Sequence, residues 1–431
     1  MYKYKIDNNK KNETIKIKWP LSCKLMAPVI VFLSTIQPFF GYKGFPFNNI
    51  RIPIDLMLFL IIAIALFTWA FIEKGIDKID KRCFIFFIFW ICLTVLMIII
   101  GLLTETIYQG SYSKDLGTFI LFAGGIIFSN KLGLKFLIKI LIFCAILAII
   151  VGIYSLFFID FNLISVYERS LNTWELPYFC WRLLELWPIL LFAAVFYKKK
   201  YSFISITVSI LYIILGLSFL KRNIFFQMIV FSAIVMIGIF RKKIFYIEKI
   251  KNTCIFIIKI ILFLTILLII INLFLPNVYQ KINNLINLTI ERIQDQDFSN
   301  FNRFNEIKGM FKDFDIFQII FGKGIGKTQN YLGFPIPIYH IHIGWGNLIF
   351  KGGILLFFYF FLSFFVILKK LFSKKIDGLT RVSISTMIYL FLAMLIDTIF
   401  WGISLITFLF GACFFYSINY SIKLDNNKKT I

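Results

Sequence analysis

The sequence predicts an all-α, polytopic integral membrane protein of about 12 transmembrane helices, with a long outer loop between helices 9 and 10. Three observations carry this. Hydrophobic residues make up 60% of the 431 and charged residues 16%, against about 45–50% and 25% in soluble domains. Phe alone contributes 55 residues, more apolar side chain than one soluble core absorbs. Apolar runs of bilayer-crossing length, about 20 residues, recur between short basic segments. An ordinary soluble enzyme, a disordered chain and a fibrous repeat are thereby excluded.

Taken in order, the first span is 24–40. It follows a polar, Lys-rich arm and lacks a small-residue cleavage site, so it reads as a retained span rather than a signal peptide. Spans 53–72, 83–103, 115–130 and 133–159 follow, of which 115–130 is short. The sixth, 183–197, is also short and carries Glu185 and Pro188. Spans 201–220, 223–240 and 254–275 lead to the long polar stretch 276–342. Spans 343–368, 382–400 and 402–420 complete the set, and the whole of 1–431 is a single transmembrane domain.

Charge supports that count. With a cytoplasmic N-terminus, the inner segments 3–24, 74–82, 131–139, 198–200, 241–251, 369–381 and 423–429 hold 30 of the 46 Lys and Arg residues. This satisfies the positive-inside rule and puts both termini in the cytoplasm. The net charge of +24 is therefore read as a topology signal, and nucleic acid is not expected as a partner. The seven cysteines show no CxxC. Five fall in apolar spans, and Cys23 and Cys180 lie near opposite faces, so neither a disulfide nor a zinc site is expected. The inner loops are too short for a cytosolic catalytic domain. Any chemistry belongs to the outer face, where 160–182 and 276–342 collect the polar and aromatic residues.

The stretch FGKGIGKT, Phe321–Thr328, has a phosphate-loop flavour, but Phe321 stands where the pattern needs its first Gly. It reads as a turn of glycines. His340 and His342, the only two histidines, lie just before the tenth span. Two ligands are too few for a metal site, so no metal and no cofactor is assigned. Neutral imidazole is well poised to take a proton near neutral pH, which makes these two the candidate general bases. Lys221 and Arg222 interrupt the apolar pattern on the face where basic pairs are disfavoured. They are either snorkelling anchors or an anion site, the guanidinium forking onto phosphate oxygens. Arg169, Arg182, Arg292 and Arg303 share that face and together suit a diphosphate group. Asp397 and Glu185 are acids within spans that could orient a histidine or pair an arginine.

Several of these features resemble the O-antigen polymerase and O-antigen ligase superfamily of membrane glycosyltransferases. The sequence from His342 through Trp345, Asn347 and Lys351 to Gly353 keeps the family's interval of eleven residues from His to a Gly-hydrophobic step. Phe321-Gly322-Lys323-Gly324-Ile325-Gly326 resembles its G-x-G-x-G turn, and Ser218 to Arg222 its basic turn. Arg303 sits where members place an Arg early in the long loop. Ile343 stands where members usually have Asn, which leaves His340 a competitor of His342. The topology match covers nearly the whole chain, and the motifs cover 220–225 and 300–355.

The resemblance implies a fold, a site and a reaction. A glycan on undecaprenyl diphosphate is transferred to a hydroxyl acceptor without metal or nucleotide. Arginines would stabilise the departing diphosphate, and His342 or His340 would accept the hydroxyl proton. Tyr279, Phe298, Phe301, Tyr331, Phe334, Tyr339 and Trp345 would offer stacking faces for sugars. Partners implied are the lipid-linked oligosaccharide, membrane lipid, a flippase and a chain-length regulator, in a bacterial cytoplasmic (inner) membrane. The first expectation is a polymerase of surface polysaccharide repeat units. A ligase, which uses lipid A core as acceptor, is the alternative. A lipid-linked oligosaccharide flippase or other transporter is the rival from another class, although no repeated halves are seen.

Overall fold

The computed structural model describes residues 20–31, 54–79, 81–103, 109–131, 133–158, 187–197, 204–207, 209, 228–235, 307–312, 314–327, 344–371, 376–395 and 405–419, with single positions between 262 and 287. Every regular element among the described residues is helical, and no strand occurs there. Helix is the form in which an apolar chain satisfies its backbone groups within one segment.

The principal helices are α1 (Leu21–Val31), α2 (Ile54–Phe67), α3 (Lys81–Leu103), α4 (Gln109–Lys131), α5 (Gly133–Phe158), α6 (Trp187–Phe196), α7 (Ile316–Phe321), α8 (Gly344–Leu371), α9 (Gly378–Ala393) and α10 (Leu405–Asn419). A π-helical turn, Thr68–Ile72, extends α2. The expected spans 53–72, 83–103, 133–159, 183–197, 343–368 and 402–420 coincide with helices to within a few residues. α4 starts at Gln109, six residues before the expected 115. α9 starts at Gly378, where Asp377 caps the Thr380 amide at 2.9 Å. Residues 32–40 and 396–400 lie outside the described residues. Within 276–342 the structure is partly helical: described positions up to Asn287, residues 307–312 and α7 all are.

Cys83–Leu103 and Gly344–Leu371 are long and apolar enough to cross a membrane. Only 28% and 33% of their most apolar stretches are buried, whereas the core helix of a soluble protein is mostly covered. Ile85, Phe89, Val95, Ile99 and Leu102 on α3 and Phe358, Phe361, Leu362 and Phe365 on α8 are exposed. That outward apolar face is what lipid would cover.

The inward faces form one large core, and Phe350 packs with Met310 in a smaller cluster. α4 and α10 cross closely because Gly125 and Gly411 present no side chain; a Cβ on Gly125 would overlap the backbone of α10, and one on Gly411 that of α4. Around this crossing the aromatic residues interlock. Trp90 meets Phe122 at 4.3 Å between centroids, Tyr359 meets Phe360 at 5.4 Å, and Phe391 meets Phe410 at 5.2 Å. Part of the Phe excess is thus core packing. Polar side chains close the helix ends. Glu73 accepts from the amide and hydroxyl of Ser22 at the start of α1, at 3.1 and 2.7 Å. Lys370 Nζ donates to the last carbonyls of α10, Ser417 and Ile418, at 2.7 and 2.9 Å.

Candidate functional site

α8 is two pieces. Its run of helical angles is interrupted at Gly353, with φ 62° and ψ −164°. Before the interruption nearly every residue is buried, among them Gly346, Asn347, Leu348, Phe350 and Lys351. After it only a stripe is buried: Leu356, Tyr359 and Phe360, Ser363, Ile367 and Leu371. That is the period of an amphipathic helix with one face on the core. The first piece therefore lies inside the protein, and the second has the pattern of a span.

A break in a buried helix disturbs the i→i−4 ladder, so carbonyls around it need other donors. Loop 322–327 supplies them. Lys323 N donates to the Phe350 carbonyl at 2.8 Å, and Gly324 N donates to that of Lys351 at 3.0 Å. Ile325 N reaches across to Met97 O on α3 at 3.2 Å. The turn takes this path because Gly322, Gly324 and Gly326 hold φ of 77°, 79° and 77°, a region disfavoured for residues with a Cβ. At Gly324 there is also no room: a Cβ there would stand 2.7 Å from Gly101 Cα.

A buried ion pair closes the arrangement. Lys351 Nζ lies 2.6 Å from Asp115 Oδ2, and both side chains are wholly inaccessible. The same ammonium donates to the Lys327 carbonyl at 2.7 Å. The same carboxylate oxygen accepts from Gly326 N at 2.8 Å. α4, α8 and the loop thus meet at one point, with α3 alongside through Met97. Removing one partner of such a pair strands a buried charge and costs about 3–5 kcal/mol. Lys323 Nζ sits over the rings of Phe314 and Phe350, at 5.1 and 5.8 Å from their centroids. Lys327 is buried as well. Desolvation, and then the neighbouring Lys351 cation, lower its pKa below the ordinary lysine value.

The loop is not a phosphate cradle. The five successive amides from Gly322 to Gly326 all donate to the chain's own acceptors: Gln318 O, Phe350 O, Lys351 O, Met97 O and Asp115 Oδ2. A phosphate-binding loop needs those amides for its ligand. Among the described residues no three His, Cys, Asp or Glu side chains gather into a group fit to hold a metal. No protein-family model, curated protein or solved structure matches the chain.

His340, His342, Lys221, Arg222, Arg169, Arg182, Arg292, Arg303, Asp397 and Glu185 all lie outside the described residues. Their neighbours are placed. α8 begins at Gly344, and Trp345 N donates to Met394 O at the end of α9 at 3.3 Å. Trp345 is not an open sugar-stacking face. Its ring stacks on Phe391 at 5.8 Å and meets Phe357 at 5.2 Å, and its Nε1 donates to Phe391 O at 3.0 Å. Tyr279 is a partly exposed helical position; the other five aromatics lie outside the described residues.

Sequence reasoning assigns no role to Asp115 or Lys351, whose side chains form this buried ion pair. The available signal was that Lys351 is a lone charge inside an expected span and that Asp115, next to Lys114, stands at the edge of another.

Proposed function

We propose that the chain is a polytopic glycosyltransferase of the bacterial cytoplasmic membrane that joins surface polysaccharide repeat units at the outer face. In this reading twelve helices span the bilayer, both termini are cytoplasmic, and 276–342 lies outside. The observation that carries it is the seating of loop 322–327 on the interruption at Gly353. The two best-matched pieces of the family resemblance, separate in sequence, are adjacent, and the second follows His342 by eleven residues. A further support is that Trp345, three residues after His342, is bonded to Met394, three residues before Asp397.

In the proposed reaction a hydroxyl oxygen of one lipid-linked repeat attacks the reducing-end sugar carbon of the other. The bond from that carbon to the undecaprenyl diphosphate breaks, and the diphosphate leaves with the electron pair. His342, or His340, takes the hydroxyl proton. Arg222 with Lys221, and arginines from 169, 182, 292 and 303, stabilise the charge growing on the leaving group. Deleting the gene in the source bacterium tests this. Single repeats still attached to the surface, with polymer gone, are the expected result. Loss of all attached glycan would instead point to the ligase or flippase reading, and unchanged polymer would end the proposal.

A further inference from the structure

The Asp115–Lys351 pair has features of a device rather than of packing alone. Sequence distance is no guide to it, since the partners are 236 positions apart. Both ends of the pair are tied to the loop: the carboxylate to the Gly326 amide and the ammonium to the Lys327 carbonyl. The loop in turn donates to the Phe350 and Lys351 carbonyls beside the break. The pair joins α4, the loop and the buried piece of α8 at one point through charge. If the pair opens, the Gly326 amide and the Lys327 carbonyl lose these side-chain contacts, while the backbone bonds to Phe350, Lys351 and Met97 remain.

We infer that Lys351 and Asp115 are positioning residues, a latch that keeps loop 322–327 seated on the break at Gly353 and thereby fixes the buried piece of α8 that follows His342. The catalytic part of this inference rests on the proposed glycosyl transfer; the latch itself does not. Neither residue touches the reacting atoms. The latch acts on the rate because a misplaced base loses productive geometry even when substrate still binds.

The test compares Lys351→Met, Asp115→Asn, the double variant and the parent, using purified full-length protein in detergent. Each single variant leaves one group without its partner, so its membrane abundance falls. The double variant removes both charges and regains most of the parent's abundance. In the double variant kcat with lipid-linked repeat is expected to fall at least tenfold, with KM within about twofold. A merely structural pair would leave kcat at the parent value once abundance recovered. The seat is read separately and without turnover. In a chain lacking its seven native cysteines, Ile325→Cys replaces a side chain with no solvent exposure. It should resist maleimide when Lys351 and Asp115 are present and react at least tenfold faster when both are replaced. Faster labelling with no turnover in any variant, parent included, keeps the latch and removes the glycosyl-transfer reading. Unchanged labelling, parent-level kcat in the double variant, or a double variant no more abundant than the singles each overturns the inference.

Discussion

Gly324→Ala is the sharpest test of the loop's geometry. The residue holds φ 79°, and moving a residue with a Cβ into that region costs about 1–2 kcal/mol. The methyl would also face backbone: 2.7 Å to Gly101 Cα and 2.8 Å to Met97 O on α3. Backbone within a helix has little room to yield, so overpacking adds about 1–3 kcal/mol. The seated loop should therefore lose about 2–5 kcal/mol relative to its open form. Even the lower figure is about a 30-fold change in the seated-to-open ratio, at about 1.4 kcal/mol per decade. Hydrogen–deuterium exchange reads that ratio, because the Lys323, Gly324, Ile325 and Gly326 amides are all bonded within the protein. A peptide covering 321–327 should exchange at least about 30-fold faster in Gly324→Ala. The control is Gly124→Ala in α4. Its methyl would meet side-chain tips only, Met26 Cε at 3.0 Å and Ile62 Cγ2 at 3.4 Å, and Ala favours helix by about 0.8–1 kcal/mol over Gly. It should leave exchange in 321–327 unchanged. Equal protection of that peptide in Gly324→Ala and the parent would refute the reasoning.

Three further outcomes are expected. Cysteines placed at Asn300 and Lys249 should label from outside the cell and be protected from outside labelling, respectively; the reverse pattern, or equal labelling, ends the twelve-span topology. Arg222→Ala should abolish polymer at near-normal membrane abundance, and Arg222→Lys should impair it strongly because the planar fork is lost; full-length polymer from Arg222→Ala makes the residue a snorkelling anchor. His342→Ala should cut turnover by about 10²–10⁴-fold and remove the acid limb of the pH profile near the imidazole value of about 6.5, while His340→Ala costs far less; the opposite ranking assigns the base to His340, and two active variants remove the histidines from the chemistry.

Helix positions were legible at several long apolar runs that meet basic residues. Span 83–103 became α3 from Lys81, and 133–159 became α5, because Leu, Ile and Phe leave the chain few other ways to satisfy its backbone. The starts of α4 and α9 were less legible for the opposite reason. Gln109–Lys114 and Gly378–Arg381 look like loop by polarity. Yet Thr380, Arg381 and Ser383 are buried, with Ser383 Oγ donating to Cys413 O at 2.6 Å. Polarity predicts exposure only when no neighbouring helix offers a partner. The candidate site was legible in pieces. The glycine turn and Gly353 were visible as motifs, but their contact was not, since nothing in local spacing brings residue 322 to residue 352. Asp115 was visible only as a charge beside Lys114 at the edge of a span and Lys351 as one charge within a span, because the signal that matters is their pairing across the fold.

The seated loop also bears on where a diphosphate could bind. An interruption beside Lys351 leaves polar backbone in a buried place, and polar backbone in such a place needs partners. The loop meets that need with the Lys323 and Gly324 amides, the Ile325 amide goes to Met97 O on α3, and the next goes to Asp115. Amides committed in this way cannot also hold phosphate oxygens unless the loop lifts off the break. Lifting it exposes the Lys351–Asp115 pair and loses at least four hydrogen bonds, those from Lys323, Gly324, Ile325 and Gly326, each worth about 0.5–1.5 kcal/mol. Anion binding through the seated loop therefore falls to side chains such as Lys323, whose ammonium is held over Phe314 and Phe350. In the proposed reaction the leaving diphosphate would be better matched by guanidinium groups, which deliver two parallel donors without dismantling a turn. The glycines that resemble a phosphate loop instead let the loop hold the broken helix in place, and in the proposed reading this would give His342 a fixed support.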